Sequence, residues 1–351
     1  MSTAPRLTAL DATHRSLGAT MTDFAGWDMP LRYASERDEH NAVRTRAGLF
    51  DLSHMGEITV TGPEAAAFLS YALVGNIATV GNGRARYTMI VQEDGGIVDD
   101  LIVYRLGETE YMVVANAGNA QIVLDALTGR VGGFDAEVRD DRDAYALLAV
   151  QGPESPAIMK AVTDADLDGL KYYAGLPGTV AGVPALIART GYTGEDGFEL
   201  FVAPEHAEAL WQALTEAGAP HGLIPCGLSC RDTLRLEAGM PLYGHELTTA
   251  LTPFDAGLGR VVKFEKEGDS FAREALPVHP RPLDRKLLPL YPYHLGSFFQ
   301  ARKELTRAPP HLTTHPPHRH RRRHGGRGHR RPRLRGPRLR SRRFRAPPRV
   351  R

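Results

Sequence analysis

Three apolar runs sit close together between residues 84 and 115: ARYTMIV, GIVDDLIVYRL and EYMVVA. Only the turns EDGG and GETE separate them. Connections this short join antiparallel strands, because parallel neighbours need a crossover of roughly a dozen residues or more. The segment is predicted as an antiparallel meander, which excludes a βαβ unit here. Further strands are expected at GEITV, AYALLAV, GVPALIART, GFELFVA and GRVVKF.

Helices are punctuated by caps and glycines. Ser35 followed by Asp38 has the form of a cap before EHNAVRTRA, and Gly48 is expected to end that helix. Pro63 and Glu64 open a second helix holding Phe68, Leu69, Ala72 and Leu73. GNAQIVLDAL is a third, from about Gly118. PEHAEALWQALTEAG is a fourth, with Pro204 in its first turn, Leu210, Trp211 and Leu214 on its apolar face and Gly218 as its stop. GLSCRDTLRLEAG is a fifth, ended by Gly239. Helices mixed with antiparallel strands give an α+β fold. The sequence has no internal repeat.

Side chains alternate faces along a strand. In GGIVDDLIVYR, residues 95–105, Asp100, Ile102 and Tyr104 share one face, and Asp99 shares the other with Leu101 and Val103. At most one of the two acids faces a given pocket. A carboxylate inside an apolar strand is costly to bury unpaired. Either one Asp is solvated while the other holds a turn, or one is a perturbed functional acid. In GYTGEDGFELFV, residues 191–202, Gly191, Gly194 and Gly197 break regular structure up to Phe198. Glu199 points away from Phe198 and Leu200, as a solvated acid or as an acceptor for the N–H groups of an amino-substituted heterocycle. Arg231 lies early on its helix, where it binds a carboxylate ligand or pairs with Asp232 or another surface acid. His54 and His245 stand alone and are read as structural, hydrogen-bonded histidines. Cys226 and Cys230, four apart on one helical face, are too few for zinc and read as reduced structural thiols. Phosphate-loop, dinucleotide, serine-hydrolase and kinase motifs are absent from the sequence.

Charge divides the chain. Residues 277–351 carry 22 of the 43 Lys and Arg but 2 of the 41 Asp and Glu. They also hold 13 of the 25 prolines, and include RHRRRHGGRGHRR at 319–331. Residues 1–276 are acidic, and no apolar stretch of about 18 residues is present to span a membrane. The N-terminus lacks a charged region followed by an apolar core, so no signal peptide is expected and a cytoplasmic location is.

The ordered series TDFAGWDMPLRY (22–33), RAGLFDLSHMGEITVTG (46–62), RYTMIVQEDGGIVDDLIVYR (86–105), YMVVANAGN (111–119), LLAVQGP (147–153), RTGYTGEDGFEL (189–200) and PCGLSCRDTLRLEAGMPLYGHEL (225–247) resembles the aminomethyltransferase family, the T-proteins of the glycine cleavage system. The resemblance covers residues 1 to about 276. It implies that an aminomethyl group carried on the lipoyl arm of the H-protein is transferred to tetrahydrofolate. The products implied are 5,10-methylenetetrahydrofolate, ammonia and the reduced lipoyl arm. It implies Asp100 as the catalytic carboxylate, Glu199 as the acceptor at the pterin edge and Arg231 as a folate contact. Met55, Tyr87, Tyr104, Asn116 and Tyr192 are implied to line the folate pocket, and no metal is expected. The family fold implies lobes around a folate channel: 1–51 with 141–265, an inserted 52–140, and a third beginning at 266–276.

That third lobe does not continue in the family pattern. After FAREAL the sequence turns to Arg, Pro, His, Gly and Leu, residue types that GC-rich DNA yields in a wrong frame. Residues 277–351 are therefore read as an out-of-frame, disordered end that impairs turnover by withholding one wall of the channel. The rival is a genuine basic tail that binds nucleic acid nonspecifically. Two further readings of the folded part are a sarcosine- or dimethylglycine-type oxidoreductase lobe, which needs a flavin domain, and a folate-binding scaffold for iron–sulfur assembly. Independent sequencing of the coding DNA around codon 276 is expected to show a change of frame. An intact frame leaves the nucleic-acid tail as the surviving reading.

Overall fold

The computed structural model describes residues 4–276. The expectations for the basic end at 277–351 lie outside the described residues. The chain begins with β1 (Arg6–Leu7), α1 (Asp11–Ser16), β2 (Thr20–Phe24), β3 (Trp27–Arg32), α2 (Glu36–Thr45) and β4 (Ala47–Asp51). It continues through β5 (Gly56–Thr61), α3 (Ala65–Ala72), β6 (Ala85–Val91), β7 (Ile97–Arg105), β8 (Glu110–Ala115), α4 (Ala120–Arg130) and β9 (Glu137–Asp140). It then runs through β10 (Ala146–Gln151), α5 (Ser155–Lys160), β11 (Gly175–Val180), β12 (Val183–Ala188), β13 (Gly197–Val202), α6 (Ala207–Gly218), β14 (Leu223–Pro225), α7 (Leu228–Glu237) and α8 (Phe271–Ala275).

The strands form three sheets, ordered β1-β3-β2, β11-β12-β13-β10-β4-β14 and β6-β7-β8-β5-β9. The expected meander is present: β6, β7 and β8 pair antiparallel in sequence order. Alternation then decides the layers. Leu148 and Val150 of β10 face α5 and α6, joining Phe198, Leu210, Trp211 and Leu214 in one core. Leu147 and Ala149 face the other way and pack with Tyr104, Met112 and Val114 of the third sheet and Leu234 of α7. The far side of the third sheet, through Ile58, Val60, Val103 and Val113, is covered by α3 and α4. The result is two sheets packed face to face with helices outside each.

Local signals explain most boundaries. The Ser35 side chain accepts a hydrogen bond from the Asp38 N–H at 3.1 Å, while Glu36, Asp38 and Glu39 complement the N-terminal dipole of α2. Gly239 adopts φ +72° and ends α7, its N–H reaching the Leu236 carbonyl. Two expectations need correction. Gly48 does not end α2 but lies inside β4, where an added Cβ would come within 2.6 Å of Val43 and 2.7 Å of Cys226. It gives packing room, not a turn. Gly218 is the last residue of α6, as expected, but the chain does not turn there. The chain runs on through a short 3-10 turn, Ala219–His221, and reverses at Gly222, φ +69°. GRVVKF forms a 3-10 turn at Gly259–Val261 instead of a strand. Its valines pack into an apolar cluster with Val74, Met89 and Leu247, and the Lys263 N–H bonds the single carbonyl of Val74. The two cysteines are free and buried as expected, but only Cys230 lies on the helix.

Lys266 closes this region. It is buried, and its ammonium donates to the carbonyls of Ser70, Leu73 (2.6 Å) and Gly75 (3.4 Å) at the C-terminal end of α3. Burial pulls its pKa down to about 8. Lys266→Met should leave those carbonyls without their donor and cost about 1–3 kcal/mol, read as a lower urea midpoint at unchanged slope.

Candidate active site

Where the second and third sheets diverge they leave a cavity of about 1080 Å³. All eight residues singled out from the sequence line it: Met55, Tyr87, Asp100, Tyr104, Asn116, Tyr192, Glu199 and Arg231. They come from β6, β7, β13, α7 and three loops, so the convergence is a product of the fold.

Strand alternation turns Asp100 and Tyr104 of β7 toward the cavity. The Asp100 carboxylate accepts from the Tyr87 hydroxyl at 3.1 Å and from Asn116 Nδ2 at 2.9 Å. Burial pushes its pKa up to about 6, against the lowering effect of those two donors. Tyr104 Oη lies 2.9 Å from Thr190 Oγ1 and donates to Glu199 Oε2 at 3.3 Å. Thr190 also donates to Glu199. Glu199, on β13, therefore fixes one oxygen against two hydroxyls, while its residue still borders the cavity.

The glycine loop before β13 is shaped by close packing. A Cβ on Gly191 would fall 2.1 Å from Gln151 Oε1, and Gly194 has φ +82° beside Ala238. The adjoining Tyr192 donates to the Pro241 carbonyl and carries the Arg231 guanidinium 4.7 Å above its ring. Arg231 does not pair with Asp232. That carboxylate receives Arg235 Nε at 2.7 Å, and Arg235 also binds Glu246 at 2.7 Å. Arg231 is thus left facing the cavity.

Three features were not legible in the sequence. Asp99 holds a turn, but a distant one that the sequence did not mark: it is fully buried and accepts from the Asn116 N–H at 2.9 Å, Asn116 Nδ2 at 2.8 Å and Asn119 Nδ2 at 2.9 Å, all in the turn after β8. Burial and the neighbouring Asp100 raise its pKa to about 7. His54 is not a hydrogen-bonded structural histidine. It borders the cavity edge-on to Phe24, and its buried Nδ1 has no partner among the described residues. Burial and the charge of Arg231 lower its pKa to about 4, so the ring is neutral near pH 7. His245 is exposed at the cavity wall. The wall also holds Arg84, Arg86, Arg260 and Lys263, which give it positive charge. Among the described residues, Glu39, Cys226 and Cys230 are near enough to share an ion, but Glu39 already accepts from three backbone N–H groups.

Comparison with known proteins is consistent along the chain. The GCVT N-terminal domain family matches residues 10–266. An aminomethyltransferase of Streptomyces avermitilis is 85% identical over 275 residues, 78% of this chain and 74% of the relative. One from Geobacillus kaustophilus is 49% identical over 261 residues, covering 74% and 71%. The crystal structure of a glycine cleavage system aminomethyltransferase T from Bartonella henselae superposes with a TM-score of 0.71 at 40% identity, covering 77% and 74% of the two chains.

The raised carboxyls have a consequence for stability. Asp99 and Asp100 hold protons in the folded state at pH values where the unfolded chain has released them. Their contribution to stability is therefore present at low pH and lost as pH rises through about 6 to 7. Unfolding free energies measured between pH 4 and 8 should show this decline, and Asp100→Asn should make it smaller.

Proposed function

The chain belongs to the aminomethyltransferases of the glycine cleavage system, and from that premise we propose that its cavity binds tetrahydrofolate and presents it to the aminomethylated lipoyl arm of the H-protein. The enzyme is a tetrahydrofolate-dependent one-carbon transferase. The observation that carries the site assignment is the convergence of Asp100, Glu199 and Arg231, from three separate elements, on one cavity.

The residues present suit folate. Glu199 is an acceptor at the cavity wall, fitted to the N–H edge of a pterin. Tyr87, Tyr104, Tyr192 and Met55 supply flat and apolar surface. Arg231, with the other cations of the wall, suits acceptor atoms and the carboxylates of the glutamyl end.

The reaction exchanges bonds at one carbon without changing its oxidation level. The methylene leaves sulfur and the amine nitrogen and becomes bonded to N5 and N10 of the folate. The two protons released from those nitrogens match those needed by the thiolate and by ammonia. Asp100, whose raised pKa lies near the working range, is placed to orient the folate N–H groups and to hold one proton in transit. Tyr87 and Asn116 fix the direction of its carboxylate. The lobe assignment belongs to the same reading: residues 4–51 with 141–265 form one folate-binding lobe, and the 52–140 insertion forms the wall that carries Asp100.

Calorimetric titration of the full chain with tetrahydrofolate should give saturable one-to-one binding. Asp100→Asn should lower turnover about 100-fold or more while changing the folate dissociation constant by less than about 5-fold. Equal losses in both would assign Asp100 to binding alone.

A further inference from the structure

Asp99 and Asp100 stand on opposite faces of β7, yet one side chain touches both. Asn116 Nδ2 lies 2.8 Å from Asp99 Oδ1 and 2.9 Å from Asp100 Oδ1. A carboxamide nitrogen carries two hydrogens and so can serve both acids at once. We propose that Asp99 is a positioning residue for the transfer reaction, acting through the Asn116 carboxamide to hold the Asp100 carboxylate in its working orientation. The inference rests on the reading of Asp100 given above.

The geometry assigns this role to Asp99 and denies it direct contact with substrate. Asp99 is fully buried, whereas Asp100 borders the cavity. Its Oδ2 takes the backbone N–H of Asn116, which anchors the end of β8. Its Oδ1 takes the side chains of Asn116 and of Asn119, the residue preceding α4. Three donors thus converge on one carboxylate, and all come from the turn that follows β8. Three acceptors on its nitrogen side, the two carboxylates and the Asp100 carbonyl at 3.2 Å, leave the Asn116 carboxamide one orientation. Turned over, it would set its oxygen against both carboxylates. The Asp99 carboxylate therefore reinforces the orientation in which the Asn116 nitrogen faces Asp100. An asparagine at 99 would present N–H groups to the Asn116 and Asn119 amides, favouring the reversed orientation and setting a carbonyl against the Asp100 carboxylate.

A purely structural role predicts a different pattern. If Asp99 only tied the β8 turn to α4, replacing it would lower stability and leave the chemistry of the folded fraction intact. The test uses the full chain with tetrahydrofolate and aminomethylated H-protein, comparing D99N, N116A, the double variant and D100N. D99N should lower kcat about 10-fold or more while KM for tetrahydrofolate stays within about 2-fold. In the N116A background the same change should add less than about 2-fold, because the residue it acts through is gone. An equal kcat loss in both backgrounds, or a loss confined to melting temperature, overturns the proposal. If D100N turns over normally, the reading of Asp100 itself fails. If D100N is slow and D99N is not, only the positioning role fails.

A second measurement needs neither turnover nor a variant. With 15N-labelled asparagine, both Nδ2 protons of Asn116 in the wild-type chain should resonate downfield and exchange slowly, since each is held by a carboxylate. One such proton exchanging at the rate of a free amide overturns the bridge.

Discussion

The phenol of Tyr104 is the point on which the two large sheets depend. It stands on β7 and reaches Thr190 and Glu199 of the opposing sheet. Around it the contact is apolar, through Phe50, Leu147, Phe201 and Val114. A carboxylate in such a setting must be satisfied or it drives the sheets apart. Two hydroxyls satisfy one of the Glu199 oxygens, so the sheets close on that side. Where the apolar contact ends, the cavity opens. Sheet packing and cavity wall share the same residue, and this is why the cavity sits between two sheets and not within either one.

The cavity mixes opposite electrostatic demands. Cations on α7, β6 and the segment around residues 260–263 share the cavity with Asp100, whose carboxyl burial holds partly protonated. Arg231 is kept from neutralisation because the nearby acids are used elsewhere: Asp232 and Glu246 both bind Arg235. The helix thus separates a structural arginine from one that faces the cavity, four residues apart. A substrate with N–H donors at one edge and carboxylates at the other meets complementary groups along its length.

Much of this was readable beforehand, for identifiable reasons. The meander followed from turn length, and the cap of α2 from Ser35 and Asp38, both local rules. The shared face of Asp100 and Tyr104 followed from alternation, a property of one strand. What was not readable depends on two elements at once. Gly48 follows a helix and has the look of a stop, but its role is set by Val43 and Cys226, the latter nearly 180 residues away in sequence. GRVVKF has the composition of a strand yet finds no ladder, only an apolar cluster, its own 3-10 turn and one backbone bond across to Val74. Asp99 was assigned to the opposite face from Asp100, correctly, but alternation cannot show that an asparagine at the end of the next strand reaches around to both. His54 was read as a hydrogen-bonded structural residue because an isolated histidine carries no pattern, and the lack of a partner for its Nδ1 among the described residues exists only in three dimensions.

Lys266 gives the far wall of the cavity a mechanical character. The segment from residue 238 to 263 supplies much of that wall. At one end it is tied to α7 by Arg235, which binds Glu246 and the Met240 carbonyl. At the other end Lys266 is fastened to the end of α3, almost 200 residues earlier in the chain. A strip held at both ends behaves as a strap and not as a flap. It is also pinned between those ends, where the Ile97 N–H donates to the Leu251 carbonyl and the Lys263 N–H to that of Val74, so release of any anchor strands polar groups. The distance between this wall and the sheet opposite is therefore set by fixed bonds at several points along the strip.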